Sequence, residues 1–168
     1  ATGGGDLVFG GGSAVDANGN PTGAAVSAGN TIVFNPASAG NTLTSMYTGG
    51  GNISINAKST NGYGIMFNRA TLINAGNGSL NIQTNATSVG IEMNAYGGAT
   101  SGTSITAQGI TINGSSSGSA AVYIVNNGAN FNSTGSADIS ITGISAPAAN
   151  HYGIRLGSDS VNIFNLTT

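Results

Sequence analysis

GNISINA (Gly51–Ala57), GSLNIQT (Gly78–Thr84), GITINGS (Gly109–Ser115) and DISITGI (Asp138–Ile144) are four versions of one phrase. Each carries an apolar-x-apolar triplet: Ile53-x-Ile55, Leu80-x-Ile82, Ile110-x-Ile112 and Ile139-x-Ile141. Apolar residues at every second position define a strand with one buried face. The first members of the triplets are 27, 30 and 29 residues apart. Self-similarity at such a period marks a solenoid, a propeller or an array.

A second series follows each triplet at a similar distance: Ile65-x-Phe67, Ile91-x-Met93, Val122-x-Ile124 and Ile154-x-Leu156. A third, looser one is Leu72–Ile73, Ile105, Phe131 and Val161–Ile163. Three short strands in about 29 residues make one coil of a parallel β-helix. Successive coils then lie about 4.8 Å apart, the ordinary strand spacing. The spacing predicts an all-β solenoid of about five to six coils with three short strands each. Residues 51–168 give four regular coils and 1–50 irregular first coils, all in a single domain. Gly10–Gly23 reads as a loop or long corner. A propeller ranks second, because its hairpin turns would have to recur at regular positions and do not. A helical reading fails on the scarcity of helix formers and the absence of a three-four apolar spacing.

Stacking turns equivalent positions into columns. Ile53, Leu80, Ile110 and Ile139 form the core stack. The outward positions of the same strands are Ser54, Asn81, Thr111 and Ser140, followed by Asn56, Gln83, Asn113 and Thr142, so amides and hydroxyls can bond up and down the face. In the second strand Tyr63, Val89, Ala120 and Tyr152 are expected inward. Gly64, Gly90, Ala121 and Gly153 form a small-residue column suited to close backbone approach.

Composition narrows the function classes. Only 5% of residues are charged, the net charge is −2, and Cys and Trp are absent. Lys58, Arg69 and Arg155 are the only cations, which excludes a basic nucleic-acid footprint. No apolar run reaches the length of a membrane span, and no membrane insertion is expected. Absence of Cys is common in proteins exported through an oxidising periplasm.

The acids are Asp6, Asp16, Glu92, Asp138 and Asp159. Carbohydrate-cleaving β-helices need paired carboxylates. Glu92 is expected to project outward between Met66 and Tyr123, with no second acid in its column, and all five acids are expected to be solvated. The column Met66, Glu92, Tyr123 and Arg155 mixes thioether, acid, aromatic ring and base on a flat face, and is the candidate contact surface for a glycan or protein. His151, the sole histidine, reads as a corner residue beside Tyr152, since a metal needs three or four ligands. Asp16–Asn20 (DANGN) faintly resembles a calcium loop, but Pro21 and Ser27 stand where Gly and Glu are required. Gly10–Gly12 lacks the Lys and helix of a phosphate loop. Six Asn-x-Ser/Thr sequons, at Asn52, Asn77, Asn85, Asn113, Asn132 and Asn165, are about what chance gives for this composition. The mixed outward columns do not form the regular Thr-x-Thr array of an ice-binding face. The residues call for no cofactor and no metal, and the chain is expected not to be an enzyme.

NGYGIMFNRATLINAGNGSLNIQT (Asn61–Thr84) and NHYGIRLGSDSVNIFN (Asn150–Asn165) resemble the repeats of filamentous-haemagglutinin-like exoproteins of two-partner secretion and of autotransporter passenger domains. The resemblance runs from about Gly49 to Thr168 and lies in repeat grammar. It implies a right-handed β-helix, export to the bacterial cell surface, and an adhesive or spacer role in a long rod. The chain does not begin with Met, which suggests trimming, and neither end carries an evident cap. The expectation is therefore a segment of a longer rod, or a subunit that stacks head to tail into a filament. Leu7 and Phe9 at one end, and Val161 and Ile163 at the other, are the expected end-to-end edges.

Overall fold

The computed structural model describes residues 4–35, 43–68, 70–94, 102–125, 129–157 and 164–167. It is a β-solenoid of about four turns, with no helix among the described residues. The first level holds β1 (Leu7–Phe9), β2 (Gly11–Val15), β3 (Pro21–Gly23), β4 (Ala25–Ser27), β5 (Ile32–Phe34) and β6 (Thr44–Tyr47). The second holds β7 (Ile53–Ser59), β8 (Ile65–Phe67) and β9 (Thr71–Asn74), and the third β10 (Leu80–Asn85), β11 (Ile91–Asn94) and β12 (Thr103–Ala107). The fourth holds β13 (Ile110–Ser116), β14 (Ala120–Val125) and β15 (Ala129–Ser133), and the last β16 (Ile139–Ser145), β17 (Tyr152–Leu156) and β18 (Phe164–Thr167).

Strands of successive levels pair in parallel to form three sheets, β1-β7-β10-β13-β16, β5-β8-β11-β14-β17 and β6-β9-β12-β15-β18. Register follows the repeat. Leu7, Ile53, Leu80, Ile110 and Ile139 lie opposite one another in turn. In the third sheet Met46, Ile73, Ile105, Phe131 and Leu166 do the same. That column is thus continued by Leu166, in a strand later than Val161–Ile163, and Val161 and Ile163 lie outside the described residues.

One apolar interior runs through all levels. Ile53, Leu80, Ile110, Ile65, Ile91 and Ile105 are at most 1% exposed, and each such side chain contributes about 1.5–3 kcal/mol on leaving water. Aromatic rings fill the first two levels. Phe9 meets Phe34 edge-on at 5.6 Å, and Phe34 stacks on Phe67 at 5.0 Å. At one corner the interior pinches shut. A Cβ on Gly64 would lie 2.6 Å from the Gly90 carbonyl oxygen and 3.0 Å from Thr84 Cβ, and one on Gly114 would overlap the Ala121 carbonyl. The small-residue column is there because two backbones meet.

Two expectations change. Gly10–Gly23 is not a loop: β2 and β3 form an antiparallel hairpin. It is inserted between β1 and β4, and both of these pair with β7. The described strands of the first 50 residues therefore make one level, interrupted in mid-strand. Tyr152 does not point inward. It is 39% exposed, on the last level, and its ring lies 5.3 Å from the Arg155 guanidinium on the outer side.

Candidate functional site

Two outer faces bring polar chemistry together. On the second sheet, Met66, Glu92, Tyr123 and Arg155 are consecutive partners in register. The Arg155 guanidinium lies 4.9 Å from the Tyr123 ring centre and 5.3 Å from that of Tyr152, a cation held between two π faces. Glu92 is not solvated as expected: it is 7% exposed. Its Oε1 accepts a hydrogen bond from Asn94 Nδ2 at 2.9 Å. Burial holds the Glu92 carboxyl above its ordinary value, against the opposing effect of the Asn94 bond. The Tyr63 phenol is also pushed up, by burial first and then by the charges of Glu92 and Tyr123. This face therefore combines an exposed cation-aromatic cluster with a carboxyl that resists ionisation.

On the first sheet a groove of about 700 Å³ runs across four levels. Its floor is the outward column Ser54, Asn81, Thr111 and Ser140, with Gln83 and Asn113 beside it. One wall is the tip of the β2–β3 hairpin. Asp16 shapes that tip: its Oδ1 accepts from the Asn18 and Asn20 backbone N–H groups at 2.8 and 2.9 Å, and its Oδ2 accepts from Asn20 Nδ2 at 3.2 Å. These bonds, the Asn20 backbone bond foremost, hold the Asp16 carboxyl below its usual value. With its amide nitrogen fixed on Asp16, Asn20 turns its Oδ1 to the sheet. There it accepts from Ser54 Oγ at 2.7 Å and from Asn81 Nδ2 at 2.6 Å. Asn81 Oδ1 is shut off from solvent and has no hydrogen-bond partner.

The floor was legible in the sequence as an outward polar column, though not as a site, and its wall was not legible. The signal was present in Asp16-x-Asn18-x-Asn20. Short polar side chains that bond their own backbone make turns, and the residues that imitate a calcium loop instead cap a hairpin. A second feature passed unread. Ser59, Ser116 and Ser145 occupy one corner column, and their hydroxyls donate to the carbonyls of Gly29, Ser88 and Ser119 in the preceding level. Each is a rung between levels.

The remaining candidates stay apart. Asp138 opens β16 at the groove rim, on a different sheet from Glu92. Asp6 Oδ1 accepts from the Asn52 N–H at 2.7 Å, tying the first level to the second. Asp159 and Arg69 lie outside the described residues. His151 sits in the corner between β16 and β17, where its Nδ1 bonds the Ala146 carbonyl at 3.1 Å. The described residues hold no group of three or more His, Cys, Asp or Glu side chains placed to bind a metal. Of the edges, Leu7 and Phe9 are half-buried and pack on the core from the first level. No family model, no curated protein and no solved structure matches this chain.

Proposed function

We propose that the chain is a non-enzymatic, extracellular segment of a bacterial adhesin or exoprotein, a right-handed rod of five to six coils whose outer faces make its contacts. One observation carries this reading. The register places neutral polar side chains in continuous columns over an apolar core, so a repeating surface is presented on a rigid support. The mixed aromatic and charged face around Tyr123 and Arg155 supports it, since rings and Arg are enriched where proteins meet partners. Protease treatment of intact cells is the test of address: peptides of this chain should be released without lysis. Their recovery only after lysis would overturn the reading. Fluorescently labelled chain should also bind host-cell surfaces saturably.

A second reading is a subunit stacked head to tail. It is favoured by the terminal levels, where the inward-facing Ile154 and Leu156 are 44% and 53% exposed and Leu7, Phe9, Ile32 and Phe34 are only partly buried. Another copy, or a further coil, would cover these rows. Negative-stain microscopy separates the two: long filaments of purified chain support stacking, and isolated short rods support the adhesin segment.

A further inference from the structure

We propose that the groove between the β2–β3 hairpin and the first sheet binds an uncharged, hydroxyl-rich chain, a neutral oligosaccharide, with the Asn20 amide standing in for a ligand hydroxyl until the hairpin tip yields. The inference rests on the adhesin reading and specifies its ligand class.

The lining sets the class. The groove presents Ser54, Asn81, Thr111, Gln83, Asn113 and Ser140 as hydroxyls and amides, each able to donate and accept. Asp138 is the only charged residue among the described residues of its lining. With no Lys or Arg in the lining, phosphate, sulfate and carboxylate ligands find no counter-charge. One carboxylate is too few for a divalent cation. A wholly apolar ligand would leave the hydroxyls and amides of the floor unpaired, since the floor is polar at every outward position. Four levels at the normal spacing give a run of roughly 14 Å, long enough for several sugar rings laid across the strands. The volume falls in the range of about 300–1,000 Å³ usual for small-ligand sites.

The hydrogen bonding at the hairpin points the same way. Asn20 Oδ1 accepts from both Ser54 and Asn81, but an amide oxygen cannot donate. Asn81 Oδ1 is therefore left without a partner in a place that water does not reach, which is costly. A sugar hydroxyl in the position of Asn20 Oδ1 would accept the same two bonds and donate a third to Asn81 Oδ1. Asp16 holds the latch by orienting the Asn20 amide. The hairpin is the element that would yield, because β2 and β3 form a sheet of their own outside the three stacked sheets.

The latch makes opposite predictions for its two sides. In NMR titrations of the intact chain with maltohexaose, cellohexaose, mannohexaose and galactohexaose, at least one should shift the amides of Asn20, Asn81 and Thr111 saturably. Asn20→Ala should tighten that binding several-fold. Asn81→Ala should weaken it about five- to tenfold, the worth of one or two hydrogen bonds. Thr111→Ala, farther along the floor, gives a second weakening variant should Asn81→Ala fold poorly. The proposal is overturned if none of the four sugars binds, if Asn20→Ala and Asn81→Ala both leave affinity unchanged, or if a sulfated hexasaccharide is preferred. Attachment of labelled chain to host cells tells the two failures apart. Attachment that survives glycosidase treatment and Asn81→Ala, with no sugar bound, sinks the groove alone and points to a protein partner on another face. Absence of any attachment sinks the adhesin reading.

Discussion

Asn20 and Asn81 are 61 positions apart, yet the Asn20 amide oxygen accepts from the Asn81 amide nitrogen at 2.6 Å. The contact joins an inserted hairpin of the first level to the outer face of the third. It lies outside the sheets and adds nothing to the apolar interior. The hairpin should therefore open without unfolding the rod, as weakly supported surface segments do.

Asn20→Ala removes two side-chain bonds to the sheet and one to Asp16. We expect limited proteolysis within residues 11–23 to accelerate several-fold. The main urea transition should move by only about 1–2 kcal/mol. A variant that unfolds globally at the rate at which its hairpin is cleaved would show that the hairpin is an integral part of the solenoid.

The core stack predicts a gradient along the rod. Ile110 is fully buried in the middle of its column, whereas Ile139, its partner in the last level, is half-buried. Ile110→Ala should cost about 2–5 kcal/mol, and Ile139→Ala clearly less. Phe67, stacked on Phe34 and 0% exposed, should cost about 3–5 kcal/mol as Phe67→Ala. Equal costs for Ile110 and Ile139 in urea denaturation would mean that the last level is covered in solution.

The pinched corner can be tested with two glycines. A methyl group on Gly114 meets the Ala121 backbone carbonyl, which cannot move aside as a side chain would. Gly114→Ala should destabilise by about 1–3 kcal/mol. Gly29 has open space at the same position of its Cβ, so Gly29→Ala should be neutral or stabilise by up to about 1 kcal/mol. A neutral Gly114→Ala in thermal melts would mean that the two backbones are farther apart than described.

The solenoid was legible because burial on one face of each strand forces a period of two, and stacking forces that pattern to return with each turn. Ile53, Leu80 and Ile110 carry both signals at once. The hairpin was not legible. Gly11–Val15 and Pro21–Gly23 have no apolar alternation, and their pairing depends on Asp16 bonding to backbone. Burial of Glu92 was also hidden, since alternation tells which way a side chain points and not what lies over it. The serine rungs escaped for a third reason. The column reads Ser59, Ala86, Ser116, Ser145, and the alanine breaks it.

That break supplies a test of the rungs. Ser116→Ala removes a buried hydroxyl that donates to the Ser88 carbonyl and accepts from the Gly118 and Ser119 N–H groups. The loss should be about 1–3 kcal/mol. Ala86→Ser places a hydroxyl at the vacant rung and should stabilise by a fraction of that amount. If both changes are neutral by urea denaturation, the corner bonds do not hold the levels together.

Glu92 should make stability depend on pH in a direction opposite to most carboxylates. Unfolded, its carboxyl titrates near 4.5, and burial raises it in the folded chain. Between those two values the folded state keeps a proton that the unfolded state has released. The contribution is therefore fully present below about 4.5 and is lost as pH rises through the folded value. Asp16 acts in the other sense: its lowered carboxyl supports the fold above 3.8 and ceases to as pH falls. Comparison of parent with Glu92→Gln isolates the first effect, since Asp16 is common to both. The variant should gain on the parent as pH rises above 4.5 in urea midpoints, and the gap should level off once Glu92 ionises in the folded chain, with little difference at pH 4. Loss of the Asn94 bond geometry would lower both ends of that curve equally and leave its slope intact. A gap between the two proteins that does not change with pH would mean that Glu92 ionises as freely in the fold as in the unfolded chain.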